Sequence, residues 1–87
     1  MPAATQIWSH TFNKAYDALP VGVRVRVGEA IDSLGRELAA VPHHRLKGTD
    51  AFRLRVGDYR VVYDFDLKQQ RVDLLFVGHR RDIYKVL

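Results

Sequence analysis

Apolar and polar positions change rhythm along the chain, and each rhythm predicts an element. Ile7 and Trp8 lie in a short candidate strand, Thr5 to Ser9. Phe12, Ala15, Tyr16 and Leu19 then recur at i, i+3, i+4 and i+7, one face of an amphipathic helix. Ser9 or Thr11 can cap its start, and Pro20 ends it. Val21, Val23, Val25 and Val27 alternate as a strand would. Yet Val23, Val27, Ala30, Ile31, Leu34 and Leu38 keep a helical face, Pro20 suits a first turn, and Glu29 to Ala40 favours helix. The spacing predicts one helix over 21–40, closed by Pro42.

His43 to Asp50 reads as a polar loop containing Arg45, Lys47 and Gly48. Three strands follow: Ala51–Val56, Tyr59–Asp66 and Arg71–Val77. Gly57-Asp58 fits a two-residue hairpin turn, and Leu67 to Gln70 supplies a longer one. The order β-α-α-β-β-β predicts an α+β domain, a small and mostly antiparallel sheet packed against a two-helix hairpin.

The hairpin carries the chemistry. A turn at 57–58 sets Val56 opposite Tyr59, Leu54 opposite Val61 and Phe52 opposite Tyr63, an apolar face for the helices. The same register sets Arg55 opposite Arg60 on the other face, with Arg53 two residues along. Like charges placed directly opposite cost up to about 1 kcal/mol per pair. Guanidinium forks match phosphate oxygens and stay charged, so this face points to a phosphate site. The alternative is a solvated face whose arginines splay apart or pair with Asp64 or Asp82.

Composition narrows the partners. The 87 residues (10.0 kDa) predict a single domain over 1–87. Hydrophobic residues at 47% and charged residues at 28% argue against disorder. The absence of cysteine excludes disulfides, thiolate metal sites and cysteine nucleophiles. No apolar run is long enough to span a membrane, and Met1 to His10 lacks the pattern of a secretory leader, so a soluble cytoplasmic protein is expected. Residues 44–87 carry ten Lys+Arg and six Asp+Glu, which accounts for the whole net charge of +4. That imbalance suggests a polyanionic partner, most often nucleic acid.

Gly78-His79-Arg80-Arg81-Asp82-Ile83-Tyr84 follows the last strand. An arginine here can reach the basic face, His79 is a candidate for proton transfer, and Tyr84 can stack on a base or dock beside Ile83. Carboxylates are scattered, without acid/base spacing. The adjacent pair His43-His44 suits no simple metal site and reads as surface loop, and His10 as a surface residue at a helix start. No glycine-rich phosphate loop occurs. Neither metal nor cofactor is expected.

Three stretches together, Leu46-Lys47-Gly48, Phe52 to Tyr63, and Val77 to Tyr84, resemble the RelE family of bacterial type II toxin–antitoxin toxins. The resemblance runs from Ile7 to Tyr84. It implies a microbial-RNase-like fold and an endoribonuclease (an mRNA interferase) that cuts message in the ribosomal A site and so blocks translation. It also implies a RelB-like antitoxin, with the free toxin monomeric and the complex hetero-oligomeric. The family's strand positions correspond to Arg53, Arg55 and Arg60, its late arginine to Arg80 with Arg81 as rival, and its tyrosine to Tyr84. Arginines stand at 53 and 55 where the best-known members carry lysines. The expected roles are a phosphate clamp from Arg55 and Arg60, support from Arg53, Arg80 at the leaving oxygen, Tyr84 as a stacking platform and His79 in proton transfer. Arg45, Lys47 and Arg81 are expected to contact RNA. Two other readings stand beside this one: a ParE-like inhibitor of DNA gyrase that cleaves nothing, and a basic RNA-binding module without catalysis.

Overall fold

The computed structural model describes residues 3–85. Its elements are β1 (Thr5–Trp8), α1 (His10–Asp17), α2 (Val21–Arg36), β2 (His44–Arg45), β3 (Phe52–Val56), β4 (Tyr59–Asp66) and β5 (Arg71–His79). Ser9 is the cap of α1: its backbone is extended and its Oγ accepts the Phe12 N–H at 3.0 Å. Thr11 lies inside the helix. The valine-rich stretch is helical, begun by Pro20, whose carbonyl accepts the Arg24 N–H at 2.9 Å. Val27, Ile31 and Leu34 turn inward, while Val21 and Val25 stay exposed.

α2 ends at Arg36, short of residue 40. The Gly35 carbonyl accepts the Ala4 N–H at 3.0 Å, and buried Gly35 lies against Ala4 with no side chain between them. Tethering to the chain start takes the place of further helical bonding, and 37–41 continue as a turn that still buries Leu38.

The five strands run in the order β1-β5-β4-β3-β2. β1 pairs with β5 in parallel; the other pairs are antiparallel. The hairpin register is the expected one, with Phe52 opposite Tyr63, Leu54 opposite Val61 and Arg55 opposite Arg60. Leu75 is the extra residue of a bulge, because Val62 pairs with Phe76 and Tyr63 with Leu74. The core lies between sheet and helices and includes Phe12, Val27, Ile31, Val61, Val72 and Leu74.

The far face is not simply open. Leu46, Val62 and Ile83 form a second buried cluster there, flanked by Ala51 and Phe76. Residues 43–50 therefore depart from the expected polar loop. They contribute β2, paired to β3, and the buried Leu46.

Candidate nucleic-acid interface

Strand alternation carries Arg53, Arg55 and Arg60 to the face away from the helices. After β5 the chain folds back over this face. The Arg80 N–H donates to the Asp58 carbonyl at 2.8 Å, fastening the C-terminal segment to the hairpin tip. The Asp82 N–H donates to the His79 carbonyl at 2.8 Å, and Ile83 sinks between Leu46 and Val62. Arg80 and Tyr84 are thereby held on either side of a buried anchor. The result is a cleft of about 200 Å³ lined by Leu46, Arg53, Arg55, Arg60, Arg80, Ile83 and Tyr84. Its apolar lining comes from Leu46 and Ile83. Tyr84 remains 56% exposed and can offer its ring to a ligand.

The cleft is short of negative charge. Among the described residues no carboxylate lies within 4 Å of Arg53, Arg55 or Arg60. Arg80 Nε approaches Asp58 Oδ1 only to 3.9 Å, in solvent. The pairing that would neutralise the face does not form: Asp64 Oδ1 accepts the Phe65 N–H, and Asp82 pairs with Lys85. Arg60 Nη1 donates to the Gly57 and Tyr59 carbonyls, both at 2.9 Å, which orients the guanidinium and leaves Nη2 and Nε for a ligand. Partial burial holds the Arg60 pKa below its ordinary value; repulsion from Arg55, Arg80 and Arg53 acts the same way, and Asp58 opposes it. Arg60 stays a cation at neutral pH, crowded by others, as in a site preorganised for an anion.

Not every expected residue reaches the cleft. His79 stands opposite Tyr59 and meets its ring edge-on at 5.4 Å, and its Nδ1 accepts the Arg81 N–H at 3.2 Å. Strand parity places it on the face away from the cleft, so the proton-transfer expectation for His79 is not carried forward. Arg45 lies opposite Phe52, its guanidinium 5.0 Å from that ring, and donates to the Asp50 carbonyl at 2.9 Å. Lys47 and Arg81 are exposed and do not line the cleft. Of the two rivals for the late arginine, Arg80 is the one brought in.

Sequence reasoning missed three residues. Leu46 and Ile83 are the anchors of the cleft, signalled only as lone aliphatic residues among polar neighbours. His43 is no surface residue: its ring stacks on Phe65 at 4.0 Å. Its Nε2 faces the Leu38 carbonyl at 2.8 Å, so Nε2 carries the proton and Nδ1 accepts from the Tyr63 hydroxyl at 2.6 Å. A second groove of about 550 Å³ lies between α2, residues 41–44 and β3; it shares Arg53 and Arg55 with the cleft. Among the described residues there is no group of three or more His, Asp or Glu placed to hold a metal ion, and no helix is long and apolar enough to cross a membrane.

Residues 6–84 match the family described as the ParE toxin of type II toxin–antitoxin systems, parDE. The chain belongs to that family. Several solved structures similar to this ParE-family chain carry the RelE name. The RelBE2 toxin–antitoxin complex of Mycobacterium tuberculosis matches at 29% identity and TM-score 0.77, covering 94% of this chain and 97% of that one. The archaeal RelE-RelB complex of Pyrococcus horikoshii matches at 27% identity and TM-score 0.74, covering 91% and 97%. The isolated E. coli RelE toxin, at 18% identity, shares the fold, with TM-score 0.73 over 98% of this chain and 100% of that one. No curated protein matches. The chain thus carries a RelE-like fold under the ParE family description.

Proposed function

We propose that this ParE-family toxin is an endoribonuclease that cuts messenger RNA on the ribosome, in the cytoplasm, and is restrained by an antitoxin. The observation that carries this reading is the cleft: four arginines from β3, β4 and the C-terminal segment surround a phosphate-sized space beside an exposed tyrosine, with no carboxylate lining it. RNA brings its own nucleophile. The 2′-oxygen attacks the adjacent phosphorus, the bond to the 5′-oxygen breaks, and the products are a 2′,3′-cyclic phosphate and a 5′-hydroxyl. The 2′-OH proton passes to solvent water, and the 5′-oxygen takes a proton from solvent water as it leaves. Arg55 and Arg60 clamp the phosphate and stabilise the extra charge of the phosphorane, with Arg53 in support. Arg80 hydrogen-bonds the departing 5′-oxygen, and Tyr84 orients a base by stacking. The cleft lining contains neither carboxylate nor imidazole, so the chain supplies alignment and charge, and the ribosome is assigned the holding of the message. An acidic, partly apolar antitoxin segment suits the larger groove, because it would engage Arg53 and Arg55, which the phosphate also needs.

A second reading draws on the family name: a gyrase inhibitor that cleaves nothing. A translation extract given wild-type protein or Arg60→Ala separates the two, with cleavage sites mapped by primer extension and a parallel gyrase supercoiling assay. The nuclease reading expects mapped cuts from wild type and roughly a 100-fold or greater loss from Arg60→Ala. Intact message with lost supercoiling, or full cleavage by Arg60→Ala, would reject it.

A further inference from the structure

We propose that Arg26 is an additional phosphate-binding residue, taking the phosphodiester of the substrate RNA next to the one held in the cleft. The inference rests on the nuclease reading above and assigns the direction in which the strand leaves. Arg26 belongs to α2, in a different layer from the cleft arginines, yet its guanidinium reaches the hairpin tip. A methyl group built on Gly57 would sit 2.7 Å from Arg26 Nη2 and 3.5 Å from both Cζ and Nη1. Gly57 is at φ +59°, so the turn needs a glycine there and the glycine leaves room for the guanidinium.

The reach of Arg26 has no folding partner to explain it. Glu29 sits one turn further along the same helix, within range of an i,i+3 pair, but among the described residues Arg26 forms no ion pair within 4 Å and no side-chain hydrogen bond satisfies it. Asp58, beside Gly57, approaches Arg80 instead. An exposed, unpaired cation adds little to stability. Its position relative to the cleft is informative. The Gly57 carbonyl accepts from Arg60 Nη1, so one turn carries Arg60 on its cleft side and Arg26 on its helix side. Gly57 lies two strand residues, about 7 Å, from Arg55. A ligand that can use a cation just beyond a phosphate-sized cleft must itself bear regularly spaced charges. A single-stranded RNA does; a lone carboxylate does not, and the acidic antitoxin segment is assigned to the larger groove, whose lining includes neither Gly57 nor Arg26. The strand then leaves the cleft across the hairpin tip toward α2.

Fluorescence anisotropy with two probes tests this. One is a dinucleotide, which fills the cleft only. The other is a longer single-stranded RNA with a 2′-deoxy sugar at the cleaved position. Arg26→Ala should bind the longer probe several-fold more weakly at low salt, with a log K against log salt slope flatter by about 0.7. Dinucleotide affinity should not change, and Arg26→Lys should restore most of the loss. If Arg26→Ala melts early, Arg26→Gln, which keeps a planar group over Gly57, should give the same readings. Equal affinity of wild type and Arg26→Ala for the longer probe overturns the inference while leaving the nuclease reading intact. A defect confined to ribosome-bound message also overturns it, by assigning Arg26 to ribosomal RNA. If wild type binds neither probe, this inference falls, while the nuclease reading is still decided by the mapped message cuts in the translation extract.

Discussion

Arg60 has the most constrained geometry of the cleft arginines. Its Nη1 is spent on the two carbonyls of its own turn, and its charge is repelled by those of Arg55, Arg80 and Arg53. A lysine at this position keeps the charge but cannot hold two carbonyls and a phosphate in one plane. Arg60→Lys should therefore cleave message some ten- to a hundredfold more slowly than wild type; an unchanged rate would show that charge alone suffices. Tyr63 makes a different argument. Burial pushes its hydroxyl from 10.0 to about 12, and that hydroxyl donates to His43 Nδ1 at 2.6 Å. Because the folded state holds the proton more tightly than the unfolded chain, the associated stability is complete below pH 10 and is lost as pH rises toward 12. Tyr63→Phe should lower stability by about 1–3 kcal/mol at neutral pH, since it leaves Nδ1 unpaired. Its denaturant midpoint should also fall less steeply than that of wild type over the alkaline range. Parallel alkaline profiles would refute the assignment.

At the scale of elements, the cleft depends on the segment after β5, which has no regular structure of its own. Two contacts seat it: the Arg80 N–H on the Asp58 carbonyl, and Ile83 against Leu46 and Val62. Ile83→Ala removes the apolar seat at a cost of about 2–5 kcal/mol if the cavity does not collapse. The loss should fall on the segment more than on the helix-side core. Hydrogen exchange should quicken over 80–85 while β4 and β5 stay protected, and cleavage should drop because Arg80 and Tyr84 lose their common anchor. Exchange that quickens equally everywhere would mean that the second cluster is part of one cooperative core.

For the whole molecule the relevant quantity is the field. The excess positive charge of residues 44–87 is gathered by β3, β4 and the C-terminal segment onto one face. Binding to single-stranded RNA should therefore weaken with salt, with a log–log slope of about −1.5 to −2 if two or three phosphates are engaged. A slope near zero, measured by anisotropy from low to moderate salt, would mean that the cleft does not engage phosphates.

Much of this architecture was legible in the chain because it is local. The period of the apolar residues determined α1 and α2, and a two-residue turn with glycine in the lead determined the hairpin register. With the register came the facing of Arg55 and Arg60, since side-chain parity in a strand leaves no other choice. What lay beyond local rules needed the folded chain. α2 stops at Arg36 because Ala4, distant in sequence, takes the Gly35 carbonyl. His43 is drawn inward by aromatic rings of β3 and β4, His79 faces away from the cleft by its pairing with Tyr59, and Leu46 meets Ile83 across most of the second half of the chain. Periodicity reports which face a residue occupies; only long-range packing decides what covers that face, and here the covering brings Arg80 and Tyr84 to the other arginines.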